Sequence, residues 1–124
     1  MKLRLTLFTL DGHEPVACES EEKWRAWMET PARYVAKTFI GNVAILTFFL
    51  GVEHAPDEAG RYTLFETNVI AKGDLRYLYR YITWDEAAAG HEKIVGRLRE
   101  TMQQDGLDAA PAWEAVMQRD NLVL

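Results

Sequence analysis

Thr83-Trp84-Asp85-Glu86-Ala87-Ala88-Ala89-Gly90-His91, running on to Met102, is the stretch whose reading decides the fold. It marks the end of a strand that turns directly into the longest helix of the chain. Thr83 is a good N-cap, and Glu86 three residues later completes a Thr-x-x-Glu capping box. Asp85 and Glu86 place negative charge at the positive end of the helix dipole. Trp84, Ala87/Ala88, His91, Ile94/Val95, Leu98 and Met102 recur at three- and four-residue steps and so share one face, most of which reads as core. His91 breaks the apolar character of that stripe, and Gly90 beside it is a poor helix former.

Upstream of this helix the sequence is strand-like for some distance. Tyr34 to Phe39 leads into Gly41-Asn42, a pair suited to a type II′ hairpin. Val43 to Val52 is apolar at almost every position, the pattern of a central strand covered on both sides. A polar loop, 54–60, precedes strands over Tyr62 to Ala71 and Leu75 to Ile82, with Lys72-Gly73-Asp74 as the turn between them. Short connections of this kind favour an antiparallel meander.

At the N-terminus, residues 2–10 alternate, with Leu3, Leu5 and Leu7 on one face. Asp11-Gly12 is a turn signal, and Glu14 to Cys18 is a short returning strand confined by Pro15 to a sheet edge. Ser20 caps a helix carrying Trp24, Trp27 and Met28 that stops at Pro31. Downstream, Asp108 caps a last helix with Trp113, Val116 and Met117 on its apolar face. The expected fold is a single α+β domain over 1–124: an antiparallel meander sheet of about four to six strands with two or three helices packed mainly on one face. Residues 107–124 form a C-terminal helical extension of the same domain.

At 124 residues the chain has the size of one domain that buries a core without staples. A formal net charge of −5 argues against binding long nucleic acid through its phosphates, and the Lys and Arg residues are scattered. Cys18 is the single cysteine, so no internal disulfide forms, which fits a reducing cytoplasm. There is no apolar run of the roughly 20 residues needed to span a bilayer, so no membrane is expected as a partner.

The standard catalytic signatures are missing: no Gly-rich phosphate loop, no GxSxG, no Cys-x-x-Cys and no HExxH. Three sets of residues carry other chemistry. Glu66, Asn68 and Arg80 are polar positions in adjacent strands, with Glu66 and Arg80 as cross-strand partners. They read either as an ion pair or as part of a polar ligand site beside tyrosines. His91 on the apolar stripe needs a hydrogen-bond partner, and a carboxylate such as Glu66 or a backbone carbonyl would serve. A His91–Glu66 pair has the composition of a general base and its orienting group, though no nucleophile accompanies it. Tyr77, Tyr79 and Tyr81 share one face of the fourth strand; exposed, such a row marks an interface or a stacking platform, and buried it is core.

Phe49-Leu50-Gly51-Val52-Glu53-His54, Leu64-Phe65-Glu66-Thr67, Arg80-Tyr81-Ile82-Thr83-Trp84-Asp85-Glu86-Ala87 and Gly90-His91 occur in that order. Together with Leu10-Asp11-Gly12-His13-Glu14-Pro15-Val16 and the helix of Trp24 and Trp27, they resemble a family of small bacteriophage and prophage proteins that carries no assigned activity. The similarity covers about residues 8–100, and Asn68 stands where the family more often has methionine. The resemblance implies a protein made in a host cytoplasm, and by analogy one that acts on host proteins or signalling nucleotides in counter-defence.

The expectation is therefore a non-enzymatic accessory binding module, a homo-oligomer, with a host protein or small-molecule ligand as partner and no cofactor. The residues expected to carry binding are His54, Glu66, Arg80, Tyr81, Trp84 and His91. One alternative is a sponge that sequesters a nucleotide, with Arg80 on phosphate and an aromatic ring on the base. Another is a small hydrolase built on His91 and Glu66, with a metal held through His54, and a third is a virion component.

Overall fold

A computed structural model describes residues 6–53 and 58–122. Strands β1 (Phe8–Asp11) and β2 (Glu14–Ala17) form a hairpin, followed by helix α1 (Glu21–Met28) and a 3-10 turn over Pro31–Arg33. Strands β3 (Tyr34–Ile40), β4 (Val43–Phe49), β5 (Phe65–Ala71) and β6 (Asp74–Tyr81) make a four-stranded antiparallel meander in sequence order. Helices α2 (Trp84–Asp105) and α3 (Ala109–Arg119) complete the chain. The α+β class, the meander and the helices gathered on one face all follow the sequence reading.

The hairpin turns have the chemistry their residues dictate. Gly41 adopts φ +56° in the β3–β4 turn, the first central position of a type II′ turn, whereas Lys72 and Gly73 are both left-handed, as a type I′ turn requires. Within the expected strand over 2–10, Leu7 pairs with Val52 in an isolated antiparallel bridge. Among the described residues β1 begins at Phe8, and Leu3 and Leu5 lie outside them.

At the start of α2 the Thr83 hydroxyl accepts the Glu86 N–H at 3.1 Å. The Glu86 carboxylate reaches back one residue further than a reciprocal box, accepting from Ile82 N–H at 3.2 Å. Gly106, left-handed at φ +62°, ends the helix. Asp108 takes the N-cap position of α3 in an extended conformation, but its side chain makes no capping bond.

The odd-numbered residues of β4 and β5 face the helices, and they bury two apolar clusters. Val43, Ile45 and Val69 meet Val95, Leu98, Trp113 and Val116 at one end. Phe49, Phe65, Tyr81 and Ala87 meet Trp27, Met28 and Trp84 at the other. Helix α1 is seated there by the Trp24 indole N–H, which donates to the Gly51 carbonyl at 2.9 Å.

The even-numbered face carries no such layer. Burial along β4 alternates rather than staying complete, which corrects the expectation that this strand is covered on both sides. Ala44, Leu46 and Phe48 on that face are only half-buried, and neighbouring Phe39 is 69% exposed.

Candidate functional site

Between the two apolar clusters runs a layer of hydroxyls, one from each strand of the meander. Thr38 (β3), Thr47 (β4), Thr67 (β5) and Tyr81 (β6) supply them, and His91 of α2 sits above. The His91 ring is fully buried, with Nε2 2.8 Å from the Thr38 hydroxyl and Nδ1 2.7 Å from that of Thr47. Thr47 and Thr67 are 2.6 Å apart, and Thr67 donates to Tyr81 Oη at 3.1 Å. In sequence, each member interrupts an apolar run: Thr47 lies between Ile45 and Phe49, Thr67 between Phe65 and Val69, His91 between Ala87 and Val95. A polar group buried in such a run is tolerated only when bonded, and each of the five groups has at least one partner within the layer. Burial lowers the pKa of His91, with Glu92 opposing, so the ring is held neutral.

His91 does not meet Glu66. Thr67 points to the helix side, so its neighbour Glu66 projects to the opposite face, and there it accepts from Arg80 Nε at 3.0 Å. The pairing that a hydrolase of His91 and Glu66 requires is therefore absent, because the sheet lies between them. The expected Glu66–Arg80 cross-strand pair does form, with the carboxylate buried and the guanidinium partly exposed.

Trp84 is half-buried, stacked on His13 of the β1–β2 turn at 3.8 Å between centroids and 5° between planes, with Phe65 edge-on beneath it. It fastens the hairpin to the start of α2. His54 lies outside the described residues. Among the described residues no group of three or more His, Cys, Asp or Glu side chains is placed to hold a metal ion.

Of the six residues read from the sequence, Arg80 and Tyr81 line a groove of about 1110 Å³ between β6 and the two C-terminal helices. Its floor is the row Tyr77, Tyr79 and Tyr81, with neighbouring centroids 6.5 Å and 5.1 Å apart. Tyr79, in the middle, is 52% exposed. The α2 wall presents Gly90, Lys93 and Arg97, and Trp113 of α3 closes one end. Arg97 is committed to Asp120 by two bonds of 2.9 Å, whereas Lys93 is exposed and has no ion-pair partner among the described residues. Glu86 and Glu92 also stand on this wall, so the groove is of mixed charge. The Trp113 indole N–H is buried without an acceptor among the described residues.

Burial raises the pKa of Tyr81, partly offset by the Thr67 hydrogen bond; burial likewise raises that of Tyr77. Both phenols are therefore neutral donors at physiological pH. Gly90 has a specific part here. A Cβ at this position would collide with the ring and hydroxyl of Tyr81, so glycine is what lets β6 and α2 approach. The sequence reading found the tyrosine row but not Lys93 or Trp113, because their convergence depends on how α3 folds back over β6. Comparison with protein families, with curated proteins and with solved structures finds nothing that matches this chain.

Proposed function

We propose that this protein is a non-enzymatic binding module that sequesters a nucleotide-class small molecule in the groove between β6 and α2. The observation that carries the reading is the tyrosine row on the groove floor, with Tyr79 half exposed at its centre. A tyrosine face stacks on a heterocyclic base for about 1–3 kcal/mol, largely without regard to base identity. Lys93 on the wall, outside any ion pair among the described residues, offers an exposed ammonium for a phosphate oxygen. The mixed charge of that wall suits a ligand of low net charge rather than a long polyanion, in keeping with the formal charge of −5 on the chain. With the resemblance to phage and prophage proteins, the role is removal of a host nucleotide signal in counter-defence.

Native mass spectrometry of protein purified gently from phage-infected cells tests this. A nucleotide mass that is lost on denaturation supports it. Protein at its bare mass, with no thermal shift across a panel of nucleotides, opposes it.

A second reading, self-association through the sheet face that carries Ala44 and Ile70, rests on Phe39 and on Leu75, which is 39% exposed at the opposite edge of the same cross-strand row. Sedimentation of Phe39→Asp against the parent separates it: a parent dimer that becomes a monomer supports association, and a parent monomer opposes it.

A further inference from the structure

Counting protons along the buried hydroxyl layer gives it a direction. Thr67 donates to Tyr81 Oη, which spends its one proton, so at 2.6 Å it accepts from Thr47. Thr47 has then spent its own proton and accepts from His91 Nδ1. The neutral ring thus carries its proton on Nδ1 and accepts at Nε2 from the Thr38 hydroxyl. Every proton of the chain is used except the last. The Tyr81 hydroxyl proton has no acceptor among the described residues, and Tyr81 lines the groove.

The Tyr81 hydroxyl lies against Gly90, and Lys93 is three residues further along the same α2 wall. Side chains at that spacing are neighbours, roughly 5–6 Å apart at Cβ. Glu86 on the same wall accepts from the Ile82 N–H and makes no hydrogen bond to Tyr81 among the described residues. Two donors without a hydrogen-bonded protein acceptor among the described residues therefore flank one part of the groove, a neutral O–H and an exposed ammonium that feels Asp120 only through space.

We propose that Tyr81 and Lys93 form the phosphate subsite of the groove, with the Thr38–His91–Thr47–Thr67 chain acting as a positioning relay that keeps Tyr81 a donor. The subsite takes a phosphate oxygen and disfavours a ligand that presents an N–H or O–H there, because the Lys93 ammonium accepts nothing and Thr67 already takes one lone pair of Tyr81. The proposal rests on the groove being the ligand site, and the relay can be read without any ligand.

Two measurements test it. At pH 8, ¹⁵N-resolved imidazole spectra of the intact protein are expected to show His91 with Nδ1 protonated; a ring protonated on Nε2 overturns the relay whatever the groove binds. AMP, GMP and CMP are then titrated against their nucleosides. The parent protein is expected to favour the monophosphates by about tenfold or more, in line with charge-assisted hydrogen bonds. Lys93→Met should remove most of that preference for the monophosphates, and Tyr81→Phe should narrow it in the same direction. Equal binding of nucleosides and monophosphates by the parent overturns the subsite but leaves the groove reading standing. Binding of neither overturns both. Because Tyr81→Phe alters the core, the tautomer of the parent protein and the Lys93→Met titration each decide the matter without it.

Discussion

Gly90 packs directly on Tyr81, and there is no space between them for a methyl group. The contact couples the last strand of the meander to the helix that follows it, and it accounts for a poor helix former in the second turn of α2.

Two glycines of α2 should therefore respond in opposite directions to the same change. Gly96 is exposed with nothing near its hypothetical Cβ, so Gly96→Ala should stabilise by up to about 1 kcal/mol through helix propensity. Gly90→Ala gains the same propensity but forces Tyr81 aside, and overpacking of roughly 1–3 kcal/mol makes it a net loss. Urea midpoints decide; a Gly90→Ala protein more stable than its parent contradicts the packing.

The buried imidazole should show itself in the pH dependence of stability. Burial lowers the folded-state pKa of His91, so the unfolded chain binds more protons than the folded one. Its contribution is complete above the unfolded value of about 6.5 and is lost as pH falls from there through the lower folded value. Chemical denaturation between pH 8 and pH 5 should show this decline, and His91→Gln should flatten it relative to the parent. An unchanged slope in His91→Gln contradicts a neutral, buried ring.

These residues mark where sequence reasoning reached and where it stopped. The α2 start, the Gly41-Asn42 and Lys72-Gly73 turns and the strand order of a meander are local matters, written in caps, turn residues and loop lengths. The partners of His91 are not local: Thr38 and Thr47 are 53 and 44 residues away. A usable signal was nevertheless present. Thr47 and Thr67 share odd-numbered positions with Ile45 and Val69, so they belong on the core side where His91 arrives, whereas Glu66 is of the other parity. The half-buried Leu46 and Phe48 of the even face read as covered because an apolar run looks the same whether a helix or solvent lies over it.

Arg80 and Glu66 should be unequal when cut separately. The Glu66 side chain is 8% exposed and the Arg80 side chain 37% exposed. Arg80→Leu strands a buried carboxylate and should cost about 1–3 kcal/mol. Glu66→Gln leaves a guanidinium that water can reach and should cost under about 1 kcal/mol. Thermal unfolding of both variants checks the order, and a costlier Glu66→Gln contradicts it.

The His13–Trp84 stack should govern how firmly the β1–β2 hairpin is held. His13→Ala removes a face-to-face contact of about 0.5–1.5 kcal/mol. Amide exchange over 8–17 is expected to quicken several-fold while α2 keeps its protection. Uniform exchange with the parent contradicts a role for the stack in fastening the hairpin.

The central claim is that the groove between β6 and α2 is where the protein meets its ligand. Titration of isotopically labelled protein with a nucleoside monophosphate, followed by amide chemical shifts, tests it most directly. Saturable shifts confined to 77–81 and 90–97, and absent from Tyr79→Ala, are the predicted result. Shifts centred on the even face around Phe39 and Leu46, or none at all, would contradict it.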